Sequence, residues 1–278
     1  MLLELRRWLG PVHVVLTGGE AMLNRDTLSL VRYGSSIGLY VELLSHGFWE
    51  DQGKIEELAQ AGPSRVTISF DAVGEQHSFI RGRNDFAQKT LRTIGTLKQL
   101  RSRDSLDLKI RLKTVIMRQN LKDVANVARF AKANDLEVFY QPIEQNYNTA
   151  EDRSWFKHSE TWPDDSLVAV SAVNELCELK RQGFPIANTL KQLEVMISYF
   201  LNPVASGVAI QSHSAHEQRR LCAALTTLQI QANGDVRPCT FRRPIGNIKS
   251  GSIREIWRTR PRWWQEDCCF ESRSMSLP

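Results

Sequence analysis

Short apolar runs alternate with longer amphipathic stretches through the first half of the chain. Residues 12–16, 39–44, 66–70, 108–116 and 136–141 are strand candidates. Between them, residues 26–37, 51–60, 85–100 and 121–133 carry apolar positions at helical spacing. Asn24 and Asn120 stand where helix caps belong. Residues 1–9 read as the end of an amphipathic helix. Repeated strand–helix units predict a parallel sheet with right-handed crossovers. Five strands fit either an open doubly wound sheet or part of a barrel. In both, ligands gather at the C-terminal ends of the strands.

The pattern changes after residue 145. Residues 146–165 form a polar connection with three aromatics, Trp155, Phe156 and Trp162, and two helices are predicted at 166–182 and 189–201. Residues 202–217, rich in Ser, His and Gly, read as a loop. From residue 221 the chain turns cysteine-rich. Residues 227–231 and 236–239, joined by Asn233-Gly234, predict a β-hairpin with a type I′ turn. A short helix is predicted at 252–257. The domain reading is 1–145, 146–220 and 221–278.

Composition adds little to the fold class but narrows the chemistry. Hydrophobic residues make up 42% and charged residues 24% of 278 residues, ordinary for a globular protein with a sizeable core. No apolar run reaches the ~18–20 residues of a membrane span, and the charged first residues do not suit a signal peptide. A cytoplasmic protein without a membrane partner is expected. There are five cysteines; Cys222, Cys239, Cys268 and Cys269 crowd the last fifth while Cys177 stands alone in an apolar helical pattern. Clustering of that kind favours metal or cluster binding over disulfides. The net charge is +5, and residues 219–262 hold ten Lys/Arg against Asp235 and Glu255. That stretch suits an acidic partner or a solvated face. No signature of nucleic-acid binding accompanies it.

The candidate chemistry sits just after the strands. Gly18-Gly19-Glu20 closes the first: glycines allow close backbone approach, and a carboxylate held there can bind an ammonium group. Ser45-His46-Gly47 closes the second. Ser69-Phe70-Asp71 closes the third and is followed by His77 and Ile80-Arg81-Gly82. A strand-end hydroxyl and carboxylate suit ribose hydroxyls, and Arg81 can grip a carboxylate bidentately. Each element alone also fits a surface turn.

In order and spacing together, these motifs resemble the radical SAM superfamily. Leu16-Thr17-Gly18-Gly19-Glu20 resembles the family's Gly-Gly-Glu-Pro motif, with Ala21 in place of the proline. Ser45-His46-Gly47 stands where relatives often have Thr-Asn-Gly. The resemblance implies S-adenosylmethionine as cofactor, held by Gly18, Gly19, Glu20, Ser69, Asp71 and Arg81. The tail resembles the SPASM/twitch extension through Cys222, the hairpin, Pro238-Cys239, Gly246-Asn247-Ile248 and residues 253–257. This implies an auxiliary [4Fe–4S] cluster on Cys222, Cys239, Cys268 and Cys269, with one of the adjacent pair sufficing; a zinc knuckle is the alternative reading of the residues. The implied fold is an α/β partial parallel (β/α) barrel followed by a small SPASM/twitch domain. The implied activity is reductive cleavage of S-adenosylmethionine to a 5′-deoxyadenosyl radical that modifies a peptide or small-molecule substrate. A flavodoxin- or ferredoxin-type electron donor is implied as partner.

One hallmark is missing. The family's Cys-x-x-x-Cys-x-x-Cys loop, which holds the catalytic cluster, has no counterpart, and no cysteine precedes Cys177. The expectation is that the first strand and its loop lie upstream of Met1 and that this chain is an N-terminally truncated form. The alternative is a degenerate iron–sulfur accessory or carrier protein.

Overall fold

The computed structural model describes residues 1–145, 149, 152, 154–203, 227–238 and 243–260. Five strands, β1 (His13–Leu16), β2 (Tyr40–Ser45), β3 (Arg65–Ser69), β4 (Lys109–Ile116) and β5 (Glu137–Pro142), form one parallel sheet in the order β1-β2-β3-β4-β5. That order chooses between the two expected architectures. A doubly wound sheet reverses its strand order at a switch point, and this sheet never does. Right-handed crossovers that always step the same way place every connecting helix on one face. The sheet is therefore an arc of a (β/α) barrel.

The helices are α1 (Leu2–Leu9), α2 (Thr27–Ser36), α3 (Gln52–Gln60), α4 (Glu75–Arg81), α5 (Phe86–Arg103), α6 (Val124–Ala133), α7 (Ser166–Arg181) and α8 (Leu190–Leu201). Of these, α4 falls where the sequence pattern suggested only a turn. It is seven residues long and stops at Gly82, whose φ of 69° is left-handed. The strand side chains beneath the helices, among them Val41, Leu43, Val66, Ile68, Leu112 and Val138, are at most 1% exposed. Each such burial contributes about 1.5–3 kcal/mol. α7 and α8 add Val173, Leu176, Leu193 and Phe200 to the same core. Cys177 is buried there too, as the apolar pattern around it implied. The outer edge of β5 is closed by the segment that follows α7. Val138 N–H donates to Pro185 O (2.9 Å) and Ala187 N–H to Val138 O (2.8 Å). Next to them the Asn188 side chain pairs with both backbone groups of Tyr140. This removes an unpaired sheet edge.

The opposite, concave face differs in kind. Parallel sheets covered on both faces are apolar throughout. Here β4 alternates: Ile110, Leu112, Thr114 and Ile116 are buried under helices, while Lys109, Arg111, Lys113 and Val115 face the other way. Glu42 lies on that face, 5% exposed, and accepts from the Thr67 hydroxyl and the Arg65 guanidinium. His13 Nε2 is 2.8 Å from the same carboxylate. Burial would raise the Glu42 carboxyl, but the Arg65 and Thr67 hydrogen bonds and the nearby positive charge hold it below the usual range. One register further up, Arg111 pairs with Glu137 at 2.8 Å. A wall of ion pairs thus replaces the second apolar face.

The C-terminal part is separate in its core. Strands β6 (Gln229–Ile230), β7 (Asp235–Arg237) and β8 (Gly246–Asn247) form an antiparallel sheet, and helix α9 (Ile253–Arg258) follows. Val236, Ile245 and Ile256 bury one another. The hairpin exists, but its turn is not type I′. That turn needs positive φ at both central residues, and Asn233 does not have it. Gly234 N–H instead donates to Gln231 O (2.8 Å), with Gly234 at φ 96° and Gln231 N–H bonded to Asp235 O. This is the three-residue loop with a glycine bulge. The tail is tied to the first helix at the start of α9, where Glu4 Oε1 accepts from Arg254 N–H at 2.9 Å.

The ion-pair wall predicts a specific stability pattern. Glu42→Gln leaves Arg65 without its anion and should cost about 3 kcal/mol, the low end for breaking a buried pair, because Arg65 keeps some water. The double change Glu42→Leu/Arg65→Met should recover most of that loss. Urea unfolding of both variants checks this, and a single variant within ~0.5 kcal/mol of wild type would show that the wall is not structural.

Candidate functional site

The Gly18-Gly19 turn leaves β1 over open space. Gly18 has φ 151°, and a Cβ at either glycine would meet no atom within 4 Å. The backbone here is bare and approachable. Glu20 follows with its side chain only 4% exposed. Its Oε2 accepts from the Ser45 hydroxyl (3.0 Å) and from His46 N–H (2.9 Å). His46 Nε2 lies 3.2 Å from the same oxygen. Among the described residues, Oε1 accepts from Met22 N–H alone, at 3.1 Å. A carboxylate offers about four acceptor positions, so the unfilled capacity is on Oε1.

His46 owes its pose to the backbone around it. Phe48 N–H donates to Nδ1 at 2.8 Å, which leaves the imidazole proton on Nε2, the atom facing Glu20. The ring edges sit against Phe48 and Phe86. Burial holds the imidazole below its usual pKa; Glu20 pulls it up and Arg81 pushes it down. The turn that presents it needs Gly47. That residue has φ 75°, and a Cβ would come within 2.6 Å of the Ile68 side chain.

The second cluster gathers at the end of β3. Asp71, 1% exposed, accepts from Val115 N–H through Oδ1 (3.1 Å) and meets Arg81 through Oδ2 (2.6 Å). Burial raises its carboxyl above the usual value, against the pull of Arg81. His77 Nδ1 accepts from Asp71 N–H at 3.2 Å. Among the described residues its buried Nε2 has no hydrogen-bond partner, and neither has Arg81 Nε. Desolvation first, and Arg81 second, push His77 down to about 3, so the ring is neutral. Asn120, expected as a helix cap, is instead a buried clamp between two strand-end loops. It donates to Asp71 O (2.8 Å) and Val115 O (2.7 Å) and accepts from Met117 N–H (2.9 Å).

The residues singled out from sequence fall at the ends of two strands, β1 and β3, with β2 between them. Gly18, Gly19 and Glu20 follow β1, Ser69 ends β3 on the concave face, and Asp71 and Arg81 follow it. His46 stands between the two groups, bonded to Glu20 and within the field of Arg81. Asp71 is buried, and each of its oxygens meets one protein group, Val115 N–H or Arg81. Cys222, Cys239, Cys268 and Cys269 lie outside the described residues. Among the described residues, no group of three or more His, Cys, Asp and Glu is placed to hold a metal ion. Two residues received no role from the sequence, His46 and Lys113. The signal for Lys113 was present in the polar–apolar alternation of residues 109–116.

Comparison with known families gives two matches, in the order the motifs suggested. Residues 2–131 match the radical SAM superfamily, and residues 222–274 match SPASM, an iron–sulfur cluster-binding domain. The chain carries a radical SAM region followed by a SPASM region. Its curated relatives include an AdoMet-dependent heme synthase of Methanosarcina barkeri, 24% identical over 90% of this chain and 69% of the relative. A PqqA peptide cyclase of Methylocella silvestris is 24% identical over 94% of this chain and 66% of the relative. Among solved structures, Streptococcus suis SuiB bound to the precursor peptide SuiA superposes with TM-score 0.62 at 14% identity, over 99% of this chain and 60% of SuiB. At that identity the likeness is one of fold. The chain spans about two thirds of the length of these curated relatives and less of SuiB. No helix among the described residues is long and apolar enough to cross a membrane.

The buried neutral His77 makes radical SAM folding sensitive to acid here. Its folded pKa is about 3, below the ordinary value of 6.5. The unfolded chain therefore binds the extra proton first. Stability from this site is complete above about pH 6.5 and falls by roughly 1.4 kcal/mol per pH unit as pH drops toward 3. Denaturant unfolding between pH 7 and 5 should show this slope in wild type and a shallower one in His77→Asn. Equal slopes would remove His77 as the cause.

Proposed function

We propose that this chain binds S-adenosylmethionine at the Gly18–Glu20 turn and serves radical modification of a peptide or small-molecule substrate held over the concave face of the sheet. One observation carries the reading: a buried carboxylate with spare acceptor capacity, fixed beside an open diglycine turn. Such a group receives an ammonium through a charge-assisted hydrogen bond. Glu20 would take the amino group of the cofactor's methionyl part. Ser45 and the His46 backbone keep the carboxylate from rotating. Arg81, held by Asp71, would border the other polar end. The cofactor supplies a sulfonium whose one-electron cleavage yields a hydrogen-abstracting radical. Relatives named as peptide cyclases and the peptide-bound SuiB favour a peptide substrate; the heme synthase favours a small molecule. A flavodoxin- or ferredoxin-type protein would deliver the electron.

Two parts of this reading concern thiolates. Cys222, Cys239 and one or both of Cys268 and Cys269 would hold an auxiliary [4Fe–4S] cluster, since four thiolates complete one. The first cysteine in the sequence, Cys177, is buried in α7. We therefore read this chain as lacking the three thiolates of a catalytic cluster and as inactive by itself in cleaving S-adenosylmethionine. That feature also favours the second reading, a non-catalytic iron–sulfur accessory protein.

Titration of the full chain with S-adenosylmethionine tests the cradle. Glu20→Gln should weaken binding about tenfold or more, because a charge-assisted bond is worth about 1.5–3 kcal/mol. Unchanged affinity would remove Glu20 from the site. Anaerobic reconstitution tests the thiolates: Cys222→Ala/Cys239→Ala should lose its iron and sulfide, and retained iron would refute the assignment. With dithionite and S-adenosylmethionine, the chain as given should form no 5′-deoxyadenosine; robust formation would show that the missing thiolates were misread.

A further inference from the structure

The concave face carries more charge than the cofactor cradle uses. Reading across the register, Glu42 pairs with Arg65, with His13 reaching Glu42 from the level below, and the next level holds Thr67, Arg111 and Glu137. Above them Ser69 pairs in register with Lys113, and Lys113 with Phe139. Asp71 and Arg81 close the top. Every carboxylate on this face has a cationic partner: Glu42 has Arg65, Glu137 has Arg111, and Asp71 has Arg81. Those three pairs sum to zero.

Two cations remain. Lys109 begins β4 at the lower rim and is exposed, so water satisfies it. Lys113 is different. It is only partly exposed, it lies at the level where the strands end, and among the described residues its ammonium has neither an ion pair nor a hydrogen bond. The Ser69 hydroxyl beside it also has no partner among the described residues. The charge of Lys113 is felt at Asp71, which places it close to the Asp71–Arg81 pair. An ammonium and a hydroxyl, side by side and unpartnered on a half-enclosed face, are donors without an acceptor.

We infer that Lys113, with Ser69, is the binding point for a single carboxylate of the ligand held over the concave face. The charge count selects a monoanion: one uncompensated positive charge matches one carboxylate, whereas a phosphate dianion would meet Glu137 and Asp71 with too few cations to offset it. Position bears on the source of the carboxylate. Lys113 is on the second strand beyond β2, roughly 10 Å from the strand that presents His46 to Glu20. A methionyl carboxylate must stay next to its own ammonium at Glu20, so the arrangement favours a carboxylate on the substrate. The inference rests on the reading that this face is the ligand-binding face, and it makes Lys113 a residue that selects acidic substrates.

The lysine Nζ resonances of the isotopically labelled full chain test it directly, with Lys113 assigned from the spectrum of Lys113→Met. Two blocked pentapeptides, Ala-Ala-Glu-Ala-Ala and Ala-Ala-Gln-Ala-Ala, serve as substrate-side probes. S-adenosylmethionine and its decarboxylated analogue serve as cofactor-side probes. The expected result is a saturable Lys113 shift with the Glu peptide, at least tenfold weaker with the Gln peptide, and equal responses to the two cofactor forms. A Lys113 shift with S-adenosylmethionine but not with the decarboxylated form would keep the carboxylate site and assign it to the cofactor. No carboxylate-dependent shift with either pair overturns the inference. Glu20→Gln run in parallel separates the failures: if it leaves S-adenosylmethionine binding unchanged, the cradle is wrong, whatever Lys113 does.

Discussion

A parallel sheet wound in a single direction can give its helices only one face. That constraint follows from the handedness of the crossovers and from a strand order that never turns back. It fixes what each position along a strand must be. Side chains under the helices have to be apolar and closely packed; those on the other side look into the hollow of the arc. A hollow lined by strand residues can hold polar groups only if they satisfy one another or a ligand. Glu42 with Arg65, Arg111 with Glu137, and Asp71 with Arg81 are the first kind.

The same constraint explains why the chemistry stands at strand ends. Glu20 is the first residue past the diglycine turn, and its anchors, Ser45 and the His46 backbone, come from the end of the neighbouring strand. Neither strand alone could hold that carboxylate. Its orientation comes from two adjacent parallel strands ending at the same height. Asn120 does for the next pair what Ser45 does here, joining the loops after β3 and β4 through buried hydrogen bonds. The carboxylate and the clamp are thus placed by hydrogen bonds that run between the ends of neighbouring strands.

Much of this was legible in the sequence, for identifiable reasons. The five strands and their helices came from periodicity, which is a local property. The motif order gave the family, because Gly-Gly-Glu and Ser-x-Asp each follow an apolar run at the right interval. What stayed hidden was pairing at a distance. His46 was visible as part of a turn, but its bond to Glu20 spans 26 residues and depends on β1 and β2 being neighbours. Asp71 stood out as a strand-end carboxylate, but its contacts with Val115 N–H and with Arg81, brought close by α4, were not visible. That helix was missed because seven residues give too short a window for helical periodicity. Asn233-Gly234 suggested one turn type, and the asparagine's negative φ gave another, a choice made by strand register rather than by the dipeptide.

The bond between Glu4 and the start of α9 joins residues 250 positions apart. A ribosome adds about 5–20 residues per second, so Glu4 waits roughly 12–50 s after it is made before its partner exists. During that interval the five-stranded arc can form, since its crossovers are all local, while the face of α1 that will receive the tail remains uncovered. The SPASM helix therefore docks onto a body already folded.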